Sequence, residues 1–144
     1  MLSDTDEPTR VAAGIIRKDD EVLLCQRGFN HRYALKWEFP GGKTTLGETM
    51  AECLERELEE ELGITAREWI DLGVCDPFTS VVVSPTRLFL ARQLTFGATQ
   101  PEGTEQIRCV KLPLTEAVQM VVESRLTHAP SGLLILKARM AVSD

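Results

Sequence analysis

The sequence predicts an α/β fold, a mixed β-sheet held between helical layers. Three observations carry this expectation. Runs rich in strand formers interleave with helical patterns along the chain, which favours helices packed on a mixed sheet over an all-strand or all-helix architecture. Residues Gly42 to Ile64 place seven glutamates beside an apolar stripe at helical spacing. A chain of 144 residues with 43% hydrophobic content fills one well-buried core and is too short for two ordinary domains.

In order, residues 1–8 read as a flexible polar arm, leaving 9–144 as a single domain. Arg10 to Arg17 and Glu21 to Gln26 are strand-forming runs around Lys18-Asp19-Asp20, the pattern of a hairpin. Gly28 to Lys36 is a polar loop. Trp37 to Phe39 reads as a short strand that Pro40-Gly41-Gly42 stops, with Trp37 in the core. Thr49 with Glu52 forms a capping box for the glutamate helix, and Gly63-Ile64 suits a left-handed stop with a hydrophobic contact behind it. Thr45 with Glu48 is a rival cap, but it would put Gly47 in the first turn. Ala51, Leu54, Leu58 and Leu62 supply the docking stripe. Trp69 to Cys75, Arg87 to Leu94 and Gln106 to Val110 read as strands, with the turn-rich stretch Gly97 to Thr104 between the last two. Leu114 to Ser124 and Gly132 to Met140 read as helices, the first starting just after a proline.

The charge pattern of the glutamate helix needs a physical account. Like charges at i,i+4, such as Glu55 with Glu59 and Glu57 with Glu61, each destabilise an isolated helix by a few tenths of a kcal/mol. A divalent cation would offset that repulsion. Glu57, Glu60 and Glu61 share one arc and span roughly 6 Å along the axis, so three carboxylates can converge on one site beside the docked face. The plain alternative is a solvated acidic face, which is the reading for Glu55 and Glu59 on the outer arc. Arg56 is spaced to pair with Glu52 and Glu60.

Composition narrows the remaining classes. Cys25, Cys53, Cys75 and Cys109 are widely spaced among apolar neighbours, as packed, reduced thiols are. Two histidines far apart do not build a histidine-rich metal site, whereas carboxylates favour Mg²⁺ or Mn²⁺. A net charge of −6 argues against broad binding to extended nucleic acid but not against a nucleotide. With an acidic polar start and no run of about 20 apolar residues, the chain reads as cytoplasmic, with no membrane segment.

Gly42, five residues, Glu48, seven residues, Arg56-Glu57-Leu58, one residue, Glu60-Glu61, one residue and Gly63-Ile64 resemble the Nudix box at every defining position. Val11 to Arg27 followed by Trp37-Glu38-Phe39-Pro40-Gly41-Gly42-Lys43 is similar to the MutT-type branch. Leu112 to Val118 and the segment after it are more similar to the ADP-ribose pyrophosphatase branch. The resemblance implies a Nudix-type α/β/α sandwich that hydrolyses a nucleoside diphosphate linked to another moiety, with one to three Mg²⁺ ions and a small-molecule nucleotide as partner, and it allows a homodimer. It implies metal ligands at Glu57, Glu60, Glu61 and the Gly41 carbonyl, with Arg56 orienting the glutamates. A further catalytic carboxylate is expected in the loop before the last strand, where Glu105 matches best and Glu102 is the alternative. Arg27 and Lys43 are surface charges or phosphate contacts.

Two substrate classes compete. ADP-ribose or a nucleotide sugar is slightly favoured by the chain after residue 105. Against it stand the short N-terminal arm and the downstream proline, for which Pro77 is early and Pro85 late. A (d)NTP or oxidised dNTP is favoured by the first half. A non-catalytic nucleotide sensor is the minor third reading, since the box glutamates it would have lost are all present.

Overall fold

The computed structural model describes residues 10–28, 35–80, 83–97 and 108–141. The arm expected at 1–8, most of the Gly28 to Lys36 loop, nearly all of the Gly97 to Thr104 stretch, and both Glu102 and Glu105 lie outside the described residues. The elements are β1 (Val11–Lys18), β2 (Glu21–Gln26), β3 (Trp37–Glu38), β4 (Gly41–Lys43), α1 (Met50–Leu62), β5 (Ile64–Cys75), β6 (Thr86–Phe96), β7 (Arg108–Pro113), α2 (Leu114–Val122) and α3 (Ala129–Ala141).

The strands form one sheet in the order β3-β2-β1-β6-β5, with β4 paired to β1 and β7 to β2. The β1–β6 pairing is parallel and the others are antiparallel, so the sheet is mixed. β1 is its axis and is buried on both faces, hence its nearly continuous apolar run. Period-two alternation splits that run. Ala12 and Ile16 join the core under α1 with Cys53, Leu54, Leu58 and Phe89. Ala13 and Ile15 join the opposite core under α2 and α3 with Leu88, Leu90, Leu134 and Ile135. Helices on both faces make the α/β/α sandwich. Gly14 lets α1 come close, since a Cβ there would lie 2.5 Å from Leu54 Cδ2. Among the described residues no helix is long and apolar enough to cross a membrane.

The β1–β2 hairpin turns through Asp19, whose φ of 56° is left-handed. Helix α1 starts and stops where its local signals put it. Thr49 accepts from the Glu52 N–H, Glu52 accepts from the Thr49 N–H, and Gly63 ends the helix at φ 65°. The rival at Thr45 survives as half a cap, its N–H donating to Glu48 Oε1.

Four expectations need correction. Pro40-Gly41-Gly42 does not simply stop a strand, because Gly41–Lys43 forms β4 and pairs with Val11, Ala12 and Ala13. β5 begins at Ile64 rather than Trp69, since its long ladder with β6 carries the strand straight out of the Gly63 cap. β7 runs on to Pro113 against Glu21, and α3 starts at Ala129, three residues before the expected Gly132.

Candidate active site

β4 and α1 build the site together. β1 anchors β4, and the missing Cβ of Gly42 lets the Glu57 side chain lie against the strand: a Cβ at position 42 would sit 2.5 Å from Glu57 Oε1. The Glu57 side chain is 16% exposed and that of Glu60 55% exposed, so the pair runs from a sheltered to an open position.

Arg56 organises this face. Its Nη1 donates to Glu57 Oε1 at 3.2 Å and to Glu60 Oε2 at 3.3 Å. Its Nε donates to Glu48 Oε2 at 2.8 Å, and Nη2 to Glu48 Oε1 at 3.2 Å and the Lys43 carbonyl at 3.5 Å. The expected partner Glu60 is there. Glu52 is occupied by the cap, and Glu48 takes its place through a forked pair. That fork holds the Glu48 carboxyl down at about 2 and pushes the guanidinium further up. Glu48 was visible in the box spacing, but its contact with Arg56 spans the loop before the helix and has no helical period to announce it.

Glu61 lies further round α1, where its charge reaches Cys25 on β2. Among the described residues no three acidic, histidine or cysteine side chains are already gathered as a metal cage. The donor set nonetheless suits a hard divalent cation. It consists of oxygens, and two carboxylates already converge on one positive nitrogen, so a cation between Glu57 and Glu60 meets a site shaped for positive charge. Gly41 lies on β4 beside Gly42, and Lys43 is exposed at the strand's end.

Arg27 sits across β2 and β3, where its Nε contacts Glu38 Oε1 at 2.6 Å. Glu38 was not among the expected site residues, since nothing in its spacing sets it apart. Beyond it, Ser131 Oγ accepts the Phe39 N–H at 2.9 Å and lies 2.7 Å from His128 Nδ1. Burial pulls the His128 ring below its ordinary value, with Glu38 and Arg27 near enough to act on it. Trp37 is half-buried and packs against the core under α2 and α3. The Glu105 and Glu102 expectation falls outside the described residues.

The NUDIX domain model matches residues 8–128, and the chain belongs to that family. The family generally uses a divalent metal and acts on small nucleotides. An 8-oxo-dGTP diphosphatase of Haemophilus influenzae is 52% identical over 58 residues, which cover 40% of this chain and 43% of the relative. An ADP-ribose pyrophosphatase of Methanocaldococcus jannaschii is 37% identical over 67 residues, covering 46% of this chain and 39% of the relative. The match therefore spans less than half the length of each. The crystal structure of an ADP compounds hydrolase superposes with a TM-score of 0.82 at 20% identity, covering 95% of this chain and 74% of that one, which establishes the shared fold.

Proposed function

We propose that this chain is a pyrophosphohydrolase cleaving the phosphoanhydride of a nucleoside diphosphate linked to another moiety. The observation that carries the reading is Arg56 Nη1 held within 3.3 Å of both Glu57 and Glu60. A pyrophosphate resists water because its own oxygens repel a nucleophile. Glu57, Glu60, Glu61 and the Gly41 carbonyl would hold Mg²⁺ or Mn²⁺, which when bound neutralises phosphate charge and acidifies water. Arg56 keeps Glu57 and Glu60 aimed at one point, so little ordering is left for the moment of reaction. Lys43 and Arg27 bind phosphate oxygens, Arg27 with its direction set by Glu38. Glu105 or a helix glutamate takes the proton from the attacking water.

The slightly favoured substrate is ADP-ribose or a nucleotide sugar, in line with the likeness to an ADP-ribose pyrophosphatase. A (d)NTP or oxidised dNTP is the second reading, favoured by the higher identity to an 8-oxo-dGTP diphosphatase. A panel of ADP-ribose, ADP-glucose, dGTP, 8-oxo-dGTP, CTP and AMP, run with Mg²⁺, with Mn²⁺ and with chelator, tests both. Anhydrides should be cleaved only with metal, and AMP not at all, because its single phosphate offers no anchored leaving side. Highest kcat/KM on a dNTP moves the conclusion to the second reading. Rapid hydrolysis of AMP, or no cleavage of any anhydride, refutes the assignment.

A further inference from the structure

Cys25 on β2 and Cys109 on β7 are direct partners in an antiparallel ladder, and their sulfurs meet at 2.6 Å as free thiols. Directly opposed residues of such a ladder have Cα atoms about 4.5 or 5.5 Å apart. Both separations fall within the ~4.4–6.8 Å that a disulfide spans, so bonding needs no change of register.

The two thiols differ in access. Cys25 is 5% exposed, while Cys109 is only partly buried. Either thiol can donate across this contact, and the contact holds the Cys109 thiol below its ordinary value while it and burial push the Cys25 thiol up. The reachable sulfur is therefore also the better nucleophile.

The pair lies beside the candidate active site. Leu23, two residues before Cys25 on the same face of β2, packs into the core under α1. Glu38 opposes Cys25 on the other edge of that strand, and Glu61 of α1 is near enough to act on it electrostatically. Leu23 and its ladder partner Lys111 line a cavity of about 230 Å³ on this face.

We infer that Cys25 and Cys109 are an oxidation site, closed reversibly to a disulfide by a peroxide or a small-molecule disulfide, and that closing it lowers turnover at the adjoining carboxylates. The coupling to turnover rests on the proposed active site, whereas the oxidation site does not. With hydrogen peroxide, the Cys109 thiolate attacks one oxygen and breaks the O–O bond, giving a sulfenic acid and hydroxide. The Cys25 sulfur then displaces the sulfenic hydroxyl, forming the S–S bond, and its proton leaves in water. Two thiols and one peroxide become one disulfide and two waters. With a small disulfide, Cys109 expels one thiolate and Cys25 displaces the other, so two thiols are released and two electrons pass to the reagent. The bond ties β2 to β7 beside Glu61 and Glu38, and a shift of about 1 Å in a reacting constellation costs up to ~10²-fold in rate.

The test treats the reduced chain with hydrogen peroxide or oxidised glutathione, alkylates the remaining thiols and maps the peptides by mass spectrometry. Turnover is measured before oxidation, after it and after dithiothreitol. A Cys25–Cys109 crosslink should form, Cys53 and Cys75 should stay alkylatable, and kcat/KM should fall at least ~10-fold and recover on reduction. Cys109→Ser and Cys25→Ala should each lose the crosslink and the reversible fall, judged as oxidised over reduced turnover within one variant. No crosslink, or a Cys109 that ends as a stable mixed disulfide or sulfinic acid, overturns the oxidation site. A crosslink with unchanged turnover overturns the coupling. An inactive enzyme that crosslinks sinks the hydrolase reading and the coupling but keeps the oxidation site; an active enzyme that never crosslinks sinks the oxidation site and the coupling but keeps the hydrolase reading.

Discussion

An alanine at position 42 adds one methyl group beneath the glutamate helix and removes no charged residue. Its Cβ would meet Glu57 Oε1 at 2.5 Å, Cδ at 2.6 Å and Cγ at 2.8 Å, whereas ordinary contact begins at 3.4 Å. The Glu57 carboxylate must therefore retreat by about 1 Å. The yielding group is a side chain, so the fold should lose only ~1 kcal/mol, the low end for overpacking. A catalytic ligand moved by that distance costs up to ~10²-fold in kcat, roughly 2.7 kcal/mol of barrier. Gly41→Ala is the contrasting variant. Its Cβ would lie 2.5 Å from the Ala12 carbonyl and 3.1 Å from Ala13 Cα, both backbone atoms of β1, so stability should fall further than in Gly42→Ala. The assay pairs kcat and KM on the best anhydride at saturating Mg²⁺ with thermal melting of both variants. Gly42→Ala turning over at the wild-type rate would show that Glu57 need not lie against β4. Gly42→Ala unfolding as readily as Gly41→Ala would show that the clash is not relieved by the side chain.

Glu60→Gln and Glu61→Gln should each lower kcat at least ~10²-fold while the fold survives. Without metal, neither variant should melt below the wild type, and a large drop would assign the glutamate a structural role. Glu105→Gln should reduce kcat more than it weakens substrate binding; if Glu102→Gln does so and Glu105→Gln is silent, the distal carboxylate is Glu102. The Glu48–Arg56 fork sets an acid window. Glu48 is lowered from 4.5 to about 2 in the folded chain, so its stabilisation is complete above 4.5 and lost as pH falls towards 2. The melting difference between wild type and Glu48→Gln should be flat near neutrality and shrink across that window. A difference constant down to about pH 2 would show that the fork does not stabilise the fold.

What was legible in the sequence was local or periodic. The Thr49–Glu52 box and the Gly63 stop join residues three or four apart, so their partners are dictated by the helix itself. The apolar stripe and the glutamate arc follow from 3.6 residues per turn, and the β1–β2 hairpin from a short polar turn between two strand runs. The family came separately, from the resemblance of Gly42 to Ile64 to the Nudix box. Tertiary structure alone decided the rest. Gly41–Lys43 looks like a chain break and becomes a strand only because β1 offers it an edge, while its glycines answer to Ala12 and Glu57 rather than to a turn. Arg56 chose Glu48 over Glu52 because the cap had taken Glu52 and the folded loop brought Glu48 within reach. Arg27 with Glu38, and Cys25 with Cys109, meet across strands that are respectively near and far in sequence. Their contact depends on ladder register, which the packing of both sheet faces sets and which no short window of residues contains.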